Sequence, residues 1–190
     1  MIRSKTFSYR SYAGRNGIYG KSYYPSSNVI DPPPIHLILA HDLGGYHGRF
    51  DQLISTLFQL APNRFQISMI DFWGHGLSGG TRGHLASFKI LVEDFKTGVL
   101  LATRNFSQGP PPILLGYGLG GMVLVQMLKE DQLFAQEIDR VVLANALFRP
   151  RGRSLTKWGS NSPLKHLRQF GKVKIPIRLQ GEDILSNPET

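Results

Sequence analysis

The chain has 190 residues, enough for one domain with a sizeable core, and a formal net charge of +9, which favours negatively charged partners. It contains no cysteine, which excludes disulfide bonds and thiolate metal sites and fits an intracellular compartment. Its longest apolar stretches are about a dozen residues long and are broken by glycines, so no transmembrane helix is predicted.

The first 30 residues carry five basic side chains and no acidic one. This bias, together with several serines, is typical of an organelle transit segment. Residues 7–12 and 18–23, however, alternate as two strands do, and residues 14–17 supply glycines for the turn between them. We therefore predict an N-terminal β-hairpin within residues 1–30. The acid-free composition favours a mitochondrial location, with the cytoplasm or the cytoskeleton as the alternative.

Two buried strands and two helices are predicted after the proline-rich linker at residues 31–34. Residues 35–40 and 65–71 are largely apolar, as parallel strands covered on both faces are. Apolar side chains at helical spacing indicate a first helix at Phe50, Leu53, Ile54, Leu57 and Phe58. The same spacing indicates a second helix at Phe88, Leu91, Val92, Phe95, Val99, Ala102 and Phe106.

Residues 112–128 predict a strand, a sharp glycine-rich turn and a helix. Two kinds of turn have this shape: the nucleophile elbow, and the dinucleotide phosphate turn, whose spacing Gly116, Gly118 and Gly121 satisfy. The phosphate turn requires an acidic residue at the end of the next strand, where it binds a ribose hydroxyl. Here the next strand ends in alanine, asparagine and alanine at residues 144–146. We therefore expect no dinucleotide, and we predict no other cofactor and no metal site.

Positive charge is concentrated in residues 140–178, which contain ten basic residues and no acidic one. Residues 31–139 contain seven basic and ten acidic residues, so the bias is local. A field of one sign attracts other protein subunits with acidic surfaces, RNA or anionic lipid headgroups. The residues expected to contact such a partner are Arg149, Arg151, Arg153, Lys157, Lys165, Arg168, Lys172 and Lys174.

Three motifs follow one another along the chain: HDLGG at residues 41–45, DFWGHGLS at residues 71–78 and GYGLGG at residues 116–121. Their order resembles the α/β-hydrolases, and in particular the branch of monoacylglycerol lipases and serine aminopeptidases, over about residues 7–148. The resemblance implies an α/β fold with a doubly wound, mostly parallel sheet and helices on both faces, in a single domain over residues 1–190. It also implies a cap shortened to residues 148–174 and a sheet truncated at its C-terminal edge.

The resemblance gives each residue of the site an expected role. Gly118 stands where the family carries its nucleophilic serine, so no hydroxyl is available there for acylation. The backbone N–H groups of Leu119 and Leu43 correspond to the donors of the oxyanion hole, and Asp183 or Glu182 corresponds to the acid of the triad. No histidine follows position 183, where the family carries its base.

Asp42 is a second departure from the family pattern, which has glycine at this position. A carboxylate beside the oxyanion donors opposes the stabilisation of negative charge. The alternative is that the Asp42 side chain turns outward to solvent or pairs with an arginine such as Arg49. His41 and His75 match positions at which the family carries structural histidines.

From these departures we expect a catalytically inactive protein that acts as a structural or interaction subunit of a larger assembly. One alternative is an esterase or lipase of the serine-hydrolase type, represented by a fragment or an inactivated variant. Another is a module that binds a small ligand in the emptied pocket.

Overall fold

The computed structural model describes residues 2–14, 17–25, 32–84, 87–105 and 109–146. Four predictions therefore lie outside the described residues: the shortened cap, the truncated C-terminal edge of the sheet, the acid Asp183 and the partner-contacting basic residues at positions 149–174.

The described strands form one six-stranded sheet. They are β1 (Arg3–Arg10), β2 (Gly17–Tyr24), β3 (Ile35–Ala40), β4 (Phe65–Ile70), β5 (Ile113–Tyr117) and β6 (Arg140–Ala144). Their order across the sheet is β1-β2-β4-β3-β5-β6. The four neighbouring strands β4, β3, β5 and β6 are parallel to one another. The first two strands, β1 and β2, pair antiparallel, and β2 is also antiparallel to β4. The sheet is thus mostly parallel, as predicted, and the antiparallel pair lies where the hairpin was predicted.

Helices cover both faces of this sheet. They are α1 (Asp51–Leu60), α2 (Phe88–Arg104), α3 (Leu119–Glu130) and the short α4 (Gln132–Gln136). The first helix buries Ile54 and Phe58 against alternate residues of β3 and β4 on one face. On the other face, α2 and α3 bury a larger cluster against the intervening strand residues. Both predicted helices are present, and the doubly wound class is confirmed.

Hydrogen bonds to Asp94 of α2 connect the end of β1 to the helix that packs on this face of the sheet. Its carboxylate accepts hydrogen bonds from the Ser11 hydroxyl at 2.8 Å and from the Tyr12 backbone N–H at 2.6 Å. Its backbone carbonyl accepts a hydrogen bond from the Tyr9 hydroxyl at 2.6 Å. Asp94 and Ser11 are each only 2% exposed. Burial raises the pKa of the Asp94 carboxyl above its usual value.

Candidate active site

The glycine-rich turn between β5 and α3 has the geometry of a nucleophile elbow. Gly118 adopts φ 54° and ψ −116°, a backbone conformation that residues with a side chain adopt only under strain. Its N–H donates to the carbonyl oxygen of Ala144 at 3.0 Å, which ties the turn to the end of β6. Helix α3 begins immediately afterwards at Leu119. The turn therefore keeps its shape with glycine at the position of the serine.

The carboxylate of Asp42 occupies the site that the oxyanion donors face. Because β3 pairs with β5, the loop after β3 lies beside the turn after β5. The N–H groups of Leu43 and Leu119 both donate to Asp42 Oδ1, each at 2.7 Å. The two donors expected from the sequence are thus brought together. The expected place of the Asp42 carboxylate, beside the oxyanion donors, agrees with this geometry. The alternative, in which the side chain turns outward to solvent or pairs with Arg49, is wrong, because the side chain turns inward and its partners are backbone N–H groups.

The Asp42 carboxylate also fills the space above Gly118. A Cβ atom added to Gly118 would overlap the carboxylate, with Oδ2 only 2.5 Å away. A side chain at position 118 and the observed position of Asp42 therefore exclude each other. The two departures from the family pattern, which are 76 positions apart in the sequence, form one structural unit.

Neighbouring groups hold the backbone of Asp42 in place. Its carbonyl oxygen accepts hydrogen bonds from Gly45 N–H at 2.9 Å and from His41 Nδ1 at 2.7 Å. The other ring nitrogen of His41 accepts the N–H of Phe72 at 2.9 Å. Burial lowers the pKa of His41 to about 4, so the ring is neutral near pH 7. The role of His41 is structural, as predicted, because both of its ring nitrogens are used to position backbone.

Asp71 joins the loop after β3 to the loop after β4. Its fully buried carboxylate accepts hydrogen bonds from His47 N–H at 2.7 Å, His47 Nδ1 at 2.8 Å and Leu77 N–H at 2.9 Å. Sequence reasoning missed this role, although the position of Asp71 directly after a buried strand was an available signal. His75 donates from Nδ1 to the carbonyl of Trp73 at 2.9 Å, which gives it a structural role too.

A pocket of about 440 Å³ opens in front of the Asp42 carboxylate. Asp42 is half-buried at the pocket wall, while Leu43 is 43% and Tyr117 41% exposed. The lining residues are His41, Asp42, Leu43, Gly44, Gly45, Arg49, Phe50 and Tyr117. The pocket therefore combines apolar and aromatic surface with one acidic and one basic side chain.

Residues 31–189 match the serine aminopeptidase (S33) family of hydrolases, and the chain belongs to this family. The match covers the described core as well as the segment beyond it. The fold, the elbow and the paired donors at Leu43 and Leu119 agree with this assignment.

Two relatives are enzymes by name. The chain is 32% identical over 121 residues to a monoacylglycerol lipase of Mycolicibacterium smegmatis (strain ATCC 700084 / mc(2)155), a match that spans 64% of this chain and 41% of that protein. It is 28% identical over 102 residues to the phospholipase YtpA of Bacillus subtilis (strain 168), which spans 54% of this chain and 37% of that protein. The chain thus covers about two fifths of the length of these relatives.

The fold is also that of solved lipases. A lipase in its open form superimposes with a TM-score of 0.63 at 21% identity, over 78% of this chain and 46% of that one. At this identity the likeness establishes the fold alone. Within the described ranges, no helix is long and apolar enough to cross a membrane.

The expectation that the protein is not an enzyme is wrong, because it belongs to a hydrolase family whose matched relatives are named as lipase and phospholipase. The expectation depended partly on a missing histidine after position 183. That inference fails, since the sequence covers only about two fifths of these relatives and nothing follows from where it ends. The glycine at position 118 remains, and it leaves the elbow without a side-chain hydroxyl.

Proposed function

We propose that the protein hydrolyses carboxylic esters, and that its substrates are acyl esters of the glycerol or phospholipid class. The family and the names of the two relatives support this substrate class. The observation that carries the proposal is the convergence of Leu43 N–H and Leu119 N–H on a single anionic oxygen, each at 2.7 Å. Two fixed donors at this distance stabilise a negatively charged oxygen, which here is Asp42 Oδ1, and donors of this kind are suited to the oxyanions that form during acyl transfer.

The surroundings of this donor pair fit an acyl ester. Phe50, Tyr117 and the exposed side chain of Leu43 offer apolar surface for an acyl chain. Arg49 at the same pocket offers a positive charge for a polar or phosphate headgroup. Because Gly118 has no hydroxyl, turnover is expected to resist serine-directed phosphonate reagents.

Multiple-turnover assays with a monoacylglycerol and with p-nitrophenyl butyrate test the proposal. Leu43→Trp narrows the pocket and is expected to lower kcat/KM by about tenfold or more. Leu133→Trp is the matched control, because Leu133 of α4 is 76% exposed and is not part of the pocket lining. Its kcat/KM is expected to stay within about twofold of the parent value. Absence of ester turnover in the parent chain would refute the proposal. A thermal shift with an ester but no turnover would instead support a ligand-binding module.

We further propose that the basic segment at residues 140–178 binds an acidic surface of another protein subunit. This proposal is supported by the charge of the segment, which contains ten basic residues and no acidic residue. Acidic protein is preferred over RNA because aromatic residues for base stacking are few in this segment: Phe148, Trp158 and Phe170. A mitochondrial location stays a prediction from the first 30 residues.

Binding to polyglutamate, single-stranded RNA and phosphatidylserine vesicles, measured between 50 and 300 mM salt, tests this second proposal. A triple variant with serine in place of Arg149, Arg151 and Arg153 is expected to bind polyglutamate more weakly and with a smaller dependence on salt concentration. A control triple variant with serine in place of the exposed Lys5, Arg64 and Lys129 removes the same number of positive charges and is expected to bind polyglutamate as the parent does. An equal loss of polyglutamate binding in both triple variants would show that binding depends on the net charge of the chain and not on this segment. Preferential binding of RNA or vesicles would contradict the choice of an acidic protein surface.

A further inference from the structure

The two oxygens of the Asp42 carboxylate have different surroundings. Oδ1 accepts two backbone hydrogen bonds, from Leu43 and Leu119. Oδ2 has no hydrogen-bond partner within the described part of the chain, and Asp42 lines the open pocket. The carboxylate is therefore fixed through one oxygen and available through the other.

The Asp42 carboxylate as a whole lies where a side chain at residue 118 would begin. Cγ and Oδ1 overlap the place of a Cβ atom on Gly118, at the tip of the elbow, and Oδ2 is 2.5 Å from that place. A carboxylate can act as a nucleophile toward an acyl carbon when it is held in position beside the bound substrate. The backbone contacts of the Asp42 carbonyl with His41 and Gly45 restrict the motion of the loop that carries it.

We infer that Asp42 is the catalytic nucleophile of this site, an inference that rests on the proposed ester hydrolysis. Asp42 Oδ2 attacks the acyl carbon, the bond from that carbon to the alcohol oxygen breaks, and the alkoxide takes a proton from water, which leaves a hydroxide ion that the proton released in the second step neutralises. The product of this step is a mixed anhydride between Asp42 and the acyl group. Water then adds to Asp42 Cγ, and the bond from Cγ to the bridging oxygen breaks. The acid leaves with that bridging oxygen, one proton is released, and the Asp42 carboxylate is restored with one oxygen from water.

The donor pair acts in the second step of this sequence. When water adds to Cγ, negative charge develops on Oδ1, which already accepts the N–H groups of Leu43 and Leu119. Fixed donors that stabilise such a charge are worth about 10²–10³ in rate in acyl-transfer enzymes. An oxyanion hole that holds the enzyme's own carboxyl group therefore favours hydrolysis of the anhydride at Asp42.

A single turnover in ¹⁸O-water, with protein in excess over p-nitrophenyl butyrate, tests the inference. We expect a gain of about 2 Da at Asp42, located by peptide fragmentation, and butyrate without the label, because the acid takes its oxygen from Asp42. Labelled butyrate with unlabelled Asp42 would overturn the attack of water on Asp42 Cγ, because water would then have attacked the acyl carbon of the ester or of the anhydride; full activity of Asp42→Asn would then exclude Asp42 as the nucleophile.

Two amide variants separate this inference from the proposed function. Asp42→Asn retains an oxygen acceptor for both N–H groups but loses the nucleophile, and we expect kcat/KM to fall by about 10³-fold or more. Asp139→Asn removes a carboxylate that pairs with Arg140 and is absent from the pocket lining, and we expect an unchanged rate. Full activity in Asp42→Asn, with parent-like thermal unfolding, would refute the role of Asp42 and leave ester hydrolysis intact. Absence of turnover in the parent would refute both.

Discussion

Replacing Gly118 by serine is expected to lower the free energy of unfolding by about 3 kcal/mol or more. The new Cβ atom would overlap the Asp42 carboxylate, and the positive φ of 54° adds backbone strain. Either Asp42 leaves the donor pair or the turn moves, and both changes disrupt the hydrogen bonds to Oδ1. Chemical unfolding monitored by circular dichroism measures this effect.

Asp42→Gly in the same chain is expected to reverse most of the loss. Alone, this variant should cost about 1–3 kcal/mol, because Leu43 and Leu119 lose a charged acceptor. In the double variant the overlap is absent, so we expect a favourable coupling of about 2 kcal/mol or more between the two sites. Additive costs in the double-mutant cycle would show that Asp42 does not occupy the position above Gly118.

Asp94→Ala is expected to destabilise the fold by about 3 kcal/mol. It removes the acceptor for the Tyr12 N–H and for the Ser11 hydroxyl, and this buried hydroxyl then has no acceptor for its proton. Because this carboxylate fastens the antiparallel pair to α2, hydrogen exchange is expected to accelerate first in β1 and β2. Uniform acceleration across the whole sheet would contradict this local role.

Asp94→Asn is the matched control, because its amide can still bond to Ser11 and Tyr12. The folded-state pKa of Asp94 is raised by burial, so the folded chain retains this proton to higher pH than the unfolded chain does. The stability contributed by the protonated group is fully present below the unfolded pKa of about 4 and is lost as pH rises through the folded pKa. We therefore expect Asp94→Asn to gain stability relative to the parent as pH rises from about 4 to 7. A difference that does not change with pH would show that Asp94 is not the group that titrates.

Strands and helices were predictable because burial on both faces leaves a local pattern. The apolar runs at residues 35–40 and 65–71 became β3 and β4, and the glycine-rich turn became the elbow before α3. Boundaries were less well predicted. The second buried strand was expected over residues 65–71, whereas β4 ends at Ile70. Local pattern does not fix the residue at which a backbone leaves a sheet.

The contacts of single polar side chains were not predictable in this way. The sequence placed Asp42 beside the donors but left its direction open, and it gave no sign that Asp94 binds the end of β1. Each of these carboxylates meets partners that are remote in the chain, such as Leu119 for Asp42 and Ser11 for Asp94. Such partners are chosen by which loops the sheet order brings together.

The sequence by itself determined the class of the protein: the spacing of three motifs and the periodicity of apolar residues specify an α/β-hydrolase sheet, and Gly118 removes the serine hydroxyl. Only the tertiary structure decided what replaces it. Because β3 and β5 are neighbours, the loop after one delivers the carboxylate of Asp42 to the turn after the other. Two backbone N–H groups hold the carboxylate there, since a charged acceptor satisfies both donors and glycine leaves room for it.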